Sequence, residues 1–146
     1  MMADLESNAF LRQRLAALFP LAGWLSEETE DDQGRLGAEW TWIVDPLDGT
    51  KEFLQRIPRL AISVGLVRHE AVVMVGIFGP VAGEGGAGEV NGAVTSWGFD
   101  APATGTALVA DATACVSRTE IEDGSITPSL GCVREARPFG SVAYTT

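Results

Sequence analysis

The sequence predicts an α/β fold, a layered α+β sandwich of mixed strand direction, and three observations carry that expectation. Two apolar, β-branched runs, Leu60–Val67 and Ala71–Pro80, are separated only by Arg68-His69-Glu70, which is the pattern of a β-hairpin. The stretch Asp4–Phe19 has helix-forming composition, with Leu11, Leu15 and Leu18 on one face and Pro20 as its stop. A third run, Glu39–Val44, is rich in aromatic and β-branched residues and reads as another strand. Helix and strand periods interleave along 146 residues, enough for one domain with a real core, taken here as a single unit spanning 1–146.

The remaining elements follow in order. Gly23–Gly37 turns from apolar to acidic, so a short strand there runs into a loop. Gly49–Ile57 can form a helix that begins at Gly49 or Thr50. Glycines crowd residues 79–92 and imply tight turns around any short strand between them. Ala107–Ser117 reads as a further strand, Glu120–Gly124 as the end of a short helix, and Phe139–Thr146 as a helix opening at Gly140 or Ser141.

Composition narrows the function. Hydrophobic residues make up 46% of the chain and mean hydropathy is +0.14, which places it among globular rather than disordered sequences. A formal net charge of −10 and a pI near 4.4 disfavour nucleic-acid polymers and anionic membranes as partners. No apolar run approaches the ~20 residues needed to cross a bilayer. The N-terminus has no basic region ahead of an apolar one, so it does not read as a secretory signal. Cys115 and Cys132 are too few for a disulfide framework and form no CxxC pair, so two reduced thiols in a cytoplasmic protein are expected.

The most informative stretch is WIVDPLDGTKEF, Trp42–Phe53. An apolar strand stops at Asp45, and Pro46 suits a tight turn that brings Asp48 back beside it. The Leu47 carbonyl can face the same point as both carboxylates. Two carboxylates and a carbonyl are hard oxygen ligands of the type Mg²⁺ accepts, with waters and a phosphate completing its octahedron. Gly49 lets an oxyanion approach the backbone, and Thr50 starts a helix whose first N–H groups favour a phosphate. The cation would also supply the positive charge that an acidic protein needs to hold a phosphate. Haloacid-dehalogenase-type phosphatases require a nucleophilic Asp two places before the Asp of DGT. Pro46 occupies that place, which excludes them.

This motif resembles the central motif of the inositol monophosphatase superfamily of Mg²⁺-dependent phosphatases. Its Lys-Glu-Phe ending is most similar to the 3′(2′),5′-bisphosphate nucleotidase (CysQ-like) branch. Ala3–Asn8 resembles the family's Asp-bearing helix start, Gly23–Thr29 its Ser-Glu-Glu motif, and Ile57–Val67 the strand after the metal motif. Cys115–Glu120 and Phe139–Thr146 are more weakly similar to later segments. The resemblance implies the inositol monophosphatase or fructose-1,6-bisphosphatase-like fold, of which this chain would be the N-terminal half. It also implies Glu27, Asp45 and Asp48 as Mg²⁺ ligands, with the Leu47 carbonyl. Thr50, held by Asp4, and Glu27 would act on the attacking water. Asp48, Gly49 and Thr50 would bind the substrate phosphate. Two or three Mg²⁺ ions, no covalent phosphoenzyme and sensitivity to Li⁺ are further implications.

Several residues have simpler readings. Asp4 also suits an N-cap, Glu28 and Glu30–Asp32 suit a solvated loop, and His69 suits the surface of the hairpin turn. Lys51, Arg56, Ser117 and Arg118 are surface residues by default. Against the family pattern the chain is about half length, lacks the preceding helices, and has no downstream Trp-Asp metal ligand. The expected function is hydrolysis of a small soluble phosphate ester, a bisphosphonucleotide ahead of an inositol phosphate. The alternative is a truncated, weak or inactive remnant that binds metal or phosphate or serves oligomerisation. The sequence leaves the assembly open, a homodimer included.

Overall fold

The computed structural model describes residues 2–31, 33–56, 60–98, 113–117, 121, 124 and 135–139. Helix α1 spans Met2–Leu18. Asp4 and Asn8 are buried on its inner face and Leu11 and Leu15 are half-buried, whereas Leu18 is 76% exposed. The expected Leu11–Leu15–Leu18 face therefore holds for two of its three members. The helix ends at Leu18, and Phe19 swings under instead, meeting Trp40 edge-on with ring centroids 5.4 Å apart.

Beyond it run β1 (Gly23–Ser26), a 3₁₀ turn (Gly34–Gly37), β2 (Trp40–Asp48) and the short helix α2 (Thr50–Leu54). The strands β3 (Ala61–Arg68), β4 (Ala71–Gly79), β5 (Glu84–Glu89) and β6 (Val94–Trp97) follow. These six strands form one sheet in chain order; β1 and β2 are parallel and every later neighbour is antiparallel. Two further strands, β7 (Thr113–Ser117) and β8 (Glu135–Phe139), pair in parallel as a separate ribbon.

The hairpin expected at Arg68-His69-Glu70 is present. Arg68 faces Ala71, which leaves His69 and Glu70 as a two-residue loop, with His69 left-handed at φ 53°. The glycine-rich segment is β5, and Gly85 is needed there: a Cβ would sit 2.4 Å from the Trp97 ring of the neighbouring strand. The strand expected over residues 107–117 is seen from Thr113 onward as β7. The helix expected from Gly140 or Ser141 lies outside the described residues, as do Cys132, Arg118 and most of 120–124.

The core gathers on β2. Trp42, Val44 and Leu47 are 5%, 3% and 6% exposed, and Leu60 and Ala61 close around them at 6% and 0%. Each fully buried large side chain contributes roughly 1.5–3 kcal/mol, so β2 is the best-anchored strand. The opposite face of the sheet is open: Ile43 is 44% and Val75 48% exposed. The edge strand β6 is exposed at all four residues. No helix among the described residues is long and apolar enough to cross a membrane.

Candidate active site

The parallel register of β1 and β2 builds the site. Ser26, the last residue of β1, lies beside Val44, so the next residue of each segment, Glu27 and Asp45, follows where the β1–β2 pairing ends. Parallel neighbours are ~4.8 Å apart, which puts two carboxylates within reach of each other. The negative charge of Glu27 is felt at Asp45 and helps to raise its pKa. A turn fixes Glu27: Thr29 N–H donates to the Ser26 carbonyl at 3.3 Å, and Glu28 N–H to the buried Ser26 Oγ at 3.3 Å.

Asp45 does not end its strand, contrary to the sequence expectation. β2 continues through Pro46 and Leu47 to Asp48, with Asp45 opposite Ser63 and Asp48 opposite Ala61. Three steps on β2 match two on β3, which is a β-bulge. In a regular strand residues three apart point to opposite faces; the extra residue cancels that inversion. Pro46, with no N–H to donate, tolerates the interrupted ladder and is fully buried. The bulge thus does the work assigned to a tight turn. Leu47 N–H donates to Asp45 Oδ1 at 3.1 Å, and the Thr50 hydroxyl donates to the Leu47 carbonyl at 3.1 Å. Gly49 stands at φ 95°, a left-handed conformation that suits glycine, and its carbonyl accepts from Phe53 N–H at 2.9 Å as α2 begins.

Burial pushes the Asp45 carboxyl up to about 6, with the negative charges of Glu27 and Asp48 adding to the rise and the Leu47 N–H opposing it. Asp4 lies on α1 at 2% exposure, in the helix face that packs on β2. Ser7 Oγ of the same helix donates to the Pro46 carbonyl at 2.9 Å. The structure therefore brings Glu27, Asp45 and Asp48 into one electrostatic neighbourhood, with Leu47, Gly49 and Thr50 on the same bulge-to-helix segment. Among the described residues no three His, Cys, Asp or Glu side chains converge into a ready-made metal cage. Mg²⁺ keeps several waters and commonly takes only one or two protein carboxylates, so a Glu27–Asp45 pair fits its chemistry.

Sequence reasoning missed Ser7, Asn8, Ser26 and Thr29 as supports of the site. Ser7 and Asn8 sit three and four residues after Asp4, the spacing that puts polar groups on one helix face, and that spacing was the available signal.

Acidic side chains thus gather at the carboxyl end of a parallel strand pair, beside a bulge that feeds a helix start, in an α/β fold. The chain belongs to the inositol monophosphatase family, whose profile matches residues 2–145. Over 82 residues it is 44% identical to the inositol-1-monophosphatase of Rhizobium meliloti (strain 1021), covering 56% of this chain and 30% of that protein. It is 37% identical over 81 residues to the 3′(2′),5′-bisphosphate nucleotidase CysQ of Haemophilus influenzae, covering 54% and 30%. The crystal structure of inositol monophosphatase-II from Staphylococcus aureus MSSA476 superposes with a TM-score of 0.77 at 19% identity, over 94% of this chain and 54% of that one. The suhB protein of Bartonella henselae superposes at 0.77 and 24% identity, over 97% and 58%. The expected fold is thereby established, and this chain spans little more than half of those structures.

Proposed function

We propose that this chain carries the metal and phosphate half-site of a Mg²⁺-dependent phosphomonoesterase acting on a small soluble phosphate ester. The observation that carries the reading is the β1–β2 register, which sets Glu27 and Asp45 one residue past the Ser26–Val44 pair, with Asp48 returned to the same neighbourhood by the bulge. Glu27, Asp45, Asp48 and the Leu47 carbonyl would hold the cation. When bound, Mg²⁺ would supply Lewis-acid polarisation of the phosphoryl oxygens and acidify water at neutral pH. The chain's own groups do the positioning. Thr50, at the start of α2 and tied to Leu47, offers a hydroxyl that can orient a water, and Asp4 would hold it in that role. The N–H groups of Gly49 and Thr50 would hold the phosphate, with no side chain at Gly49 to obstruct it. Glu27, which is exposed, would accept the proton that the water gives up.

The relatives' names divide between inositol and nucleotide phosphates, so both substrate classes belong in the test. Phosphate release from adenosine 3′,5′-bisphosphate and from inositol monophosphate should require Mg²⁺, be inhibited by Li⁺, and vanish in Asp48→Asn. Release equal to that of Asp48→Asn on both substrates would overturn the reading. A second reading is a metal- or phosphate-binding remnant without turnover. It is favoured by the absence of a three-carboxylate cage among the described residues. Mg²⁺ uptake without phosphate release is its signature.

A further inference from the structure

We infer that Ser7 and Asn8 are positioning residues that act as a cross-brace between the two acidic segments, a role that rests on the proposed Mg²⁺ site. Ser7 Oγ donates to the Pro46 carbonyl at 2.9 Å, one residue beyond Asp45. Asn8 Nδ2 donates to Thr29 Oγ1 at 2.8 Å, and Thr29 closes the turn that presents Glu27. The two donors are consecutive on a continuous helix, so their spacing is fixed by covalent geometry and by the helix ladder.

The brace acts where the sheet does not. The β1–β2 ladder ends at the Ser26–Val44 pair, one residue short of Glu27 and Asp45. Past that pair two like-charged carboxylates lie side by side, and their repulsion favours splaying the Glu27 turn away from the β2 bulge. One helical turn gripping a point on each segment resists that motion. Asn8 is 7% exposed, so its bond competes little with water. Neither residue touches the reacting atoms in this scheme; each acts through the acid that its partner segment carries. The pair lies on the inner face that also buries Asp4, so one face of α1 supports three points of the site.

A simpler role, docking α1 onto the sheet, predicts a different pattern, and one experiment separates the two. Mg²⁺ binding is measured by calorimetry on the chain and on Ser7→Ala, Asn8→Ala, the double variant, Ser7→Thr and Leu15→Ala, with Tm recorded for each. Ser7→Ala and Asn8→Ala should each weaken Mg²⁺ by about 3- to 10-fold, the size of one neutral hydrogen bond. Ser7→Thr, which keeps the hydroxyl, should restore affinity to within about 2-fold. Leu15→Ala loosens α1 without touching the brace and should lower Tm while leaving affinity within about 2-fold. Brace variants that bind as the parent does, or affinity that simply follows Tm through Leu15→Ala, would overturn the inference and leave the site reading intact. A parent chain that takes up no Mg²⁺ would instead overturn the site reading, and the brace with it.

Discussion

At Asp45 three influences meet on one carboxyl: partial burial, the neighbouring charges of Glu27 and Asp48, and one stabilising N–H from Leu47. The first two win and raise its pKa to about 6. Because the folded value lies above the ordinary one, folding takes up a proton here. This contribution favours the fold at pH below the ordinary carboxylate range and is lost as pH rises through about 6. The metal-free chain should therefore lose stability across that interval, and thermal melts at successive pH values would show it. Mg²⁺ competes with the same proton, so its affinity should increase as pH rises through about 6, measurable by calorimetry at each pH. Asp45→Asn removes the repulsion and should stabilise the metal-free chain at neutral pH by about 1 kcal/mol, a figure discounted for solvent screening. The same variant should abolish Mg²⁺ uptake. The carboxylates themselves were legible in the sequence as DPLDGT; the raised pKa of Asp45 was not, because it comes first from burial in the fold and then from Glu27, eighteen positions away.

Elements differ in how plainly the chain announces them. The β3–β4 hairpin was readable because two long apolar runs bracket a two-residue loop, and α1 because its residues favour a helix up to the stop at Pro20. The bulge in β2 was not. Pro46 between two aspartates has the local chemistry of a turn, and only the pairing of Asp45 with Ser63 and of Asp48 with Ala61 shows that the strand continues. β6 was equally hidden: Val94–Trp97 is short and mixed in composition, and it forms because β5 offers an edge. At the bulge exit, Gly49→Ala places a Cβ at φ 95° and should destabilise the fold by about 1 kcal/mol. It should also weaken phosphate binding by displacing the first N–H groups of α2. Chemical denaturation and phosphate titration would measure the two effects separately.

Across the molecule, a six-stranded sheet carries a helix on one face and leaves apolar side chains open on the other, with Val75 48% exposed and Val94 on the edge strand at 78%. Runs such as Ala71–Pro80, apolar at successive positions, are the signature of a strand covered on both faces. That much was legible in the sequence. What covers the second face was not, since this chain spans about half of the structures it resembles. Exposed apolar patches of this kind promote self-association. Val75→Lys should lower self-association, seen in sedimentation at increasing concentration, while shifting stability by no more than about 0.5 kcal/mol.

A Mg²⁺ titration of the chain beside Glu27→Gln, both checked for intact folding, bears most directly on the account. Glu27 follows β1 whereas Asp45 and Asp48 lie on β2, so its contribution depends on the fold placing them together rather than on the DPLDGT motif alone. The account predicts saturable uptake by the parent and at least about tenfold weaker binding in Glu27→Gln. Equal affinity in the two chains would contradict it.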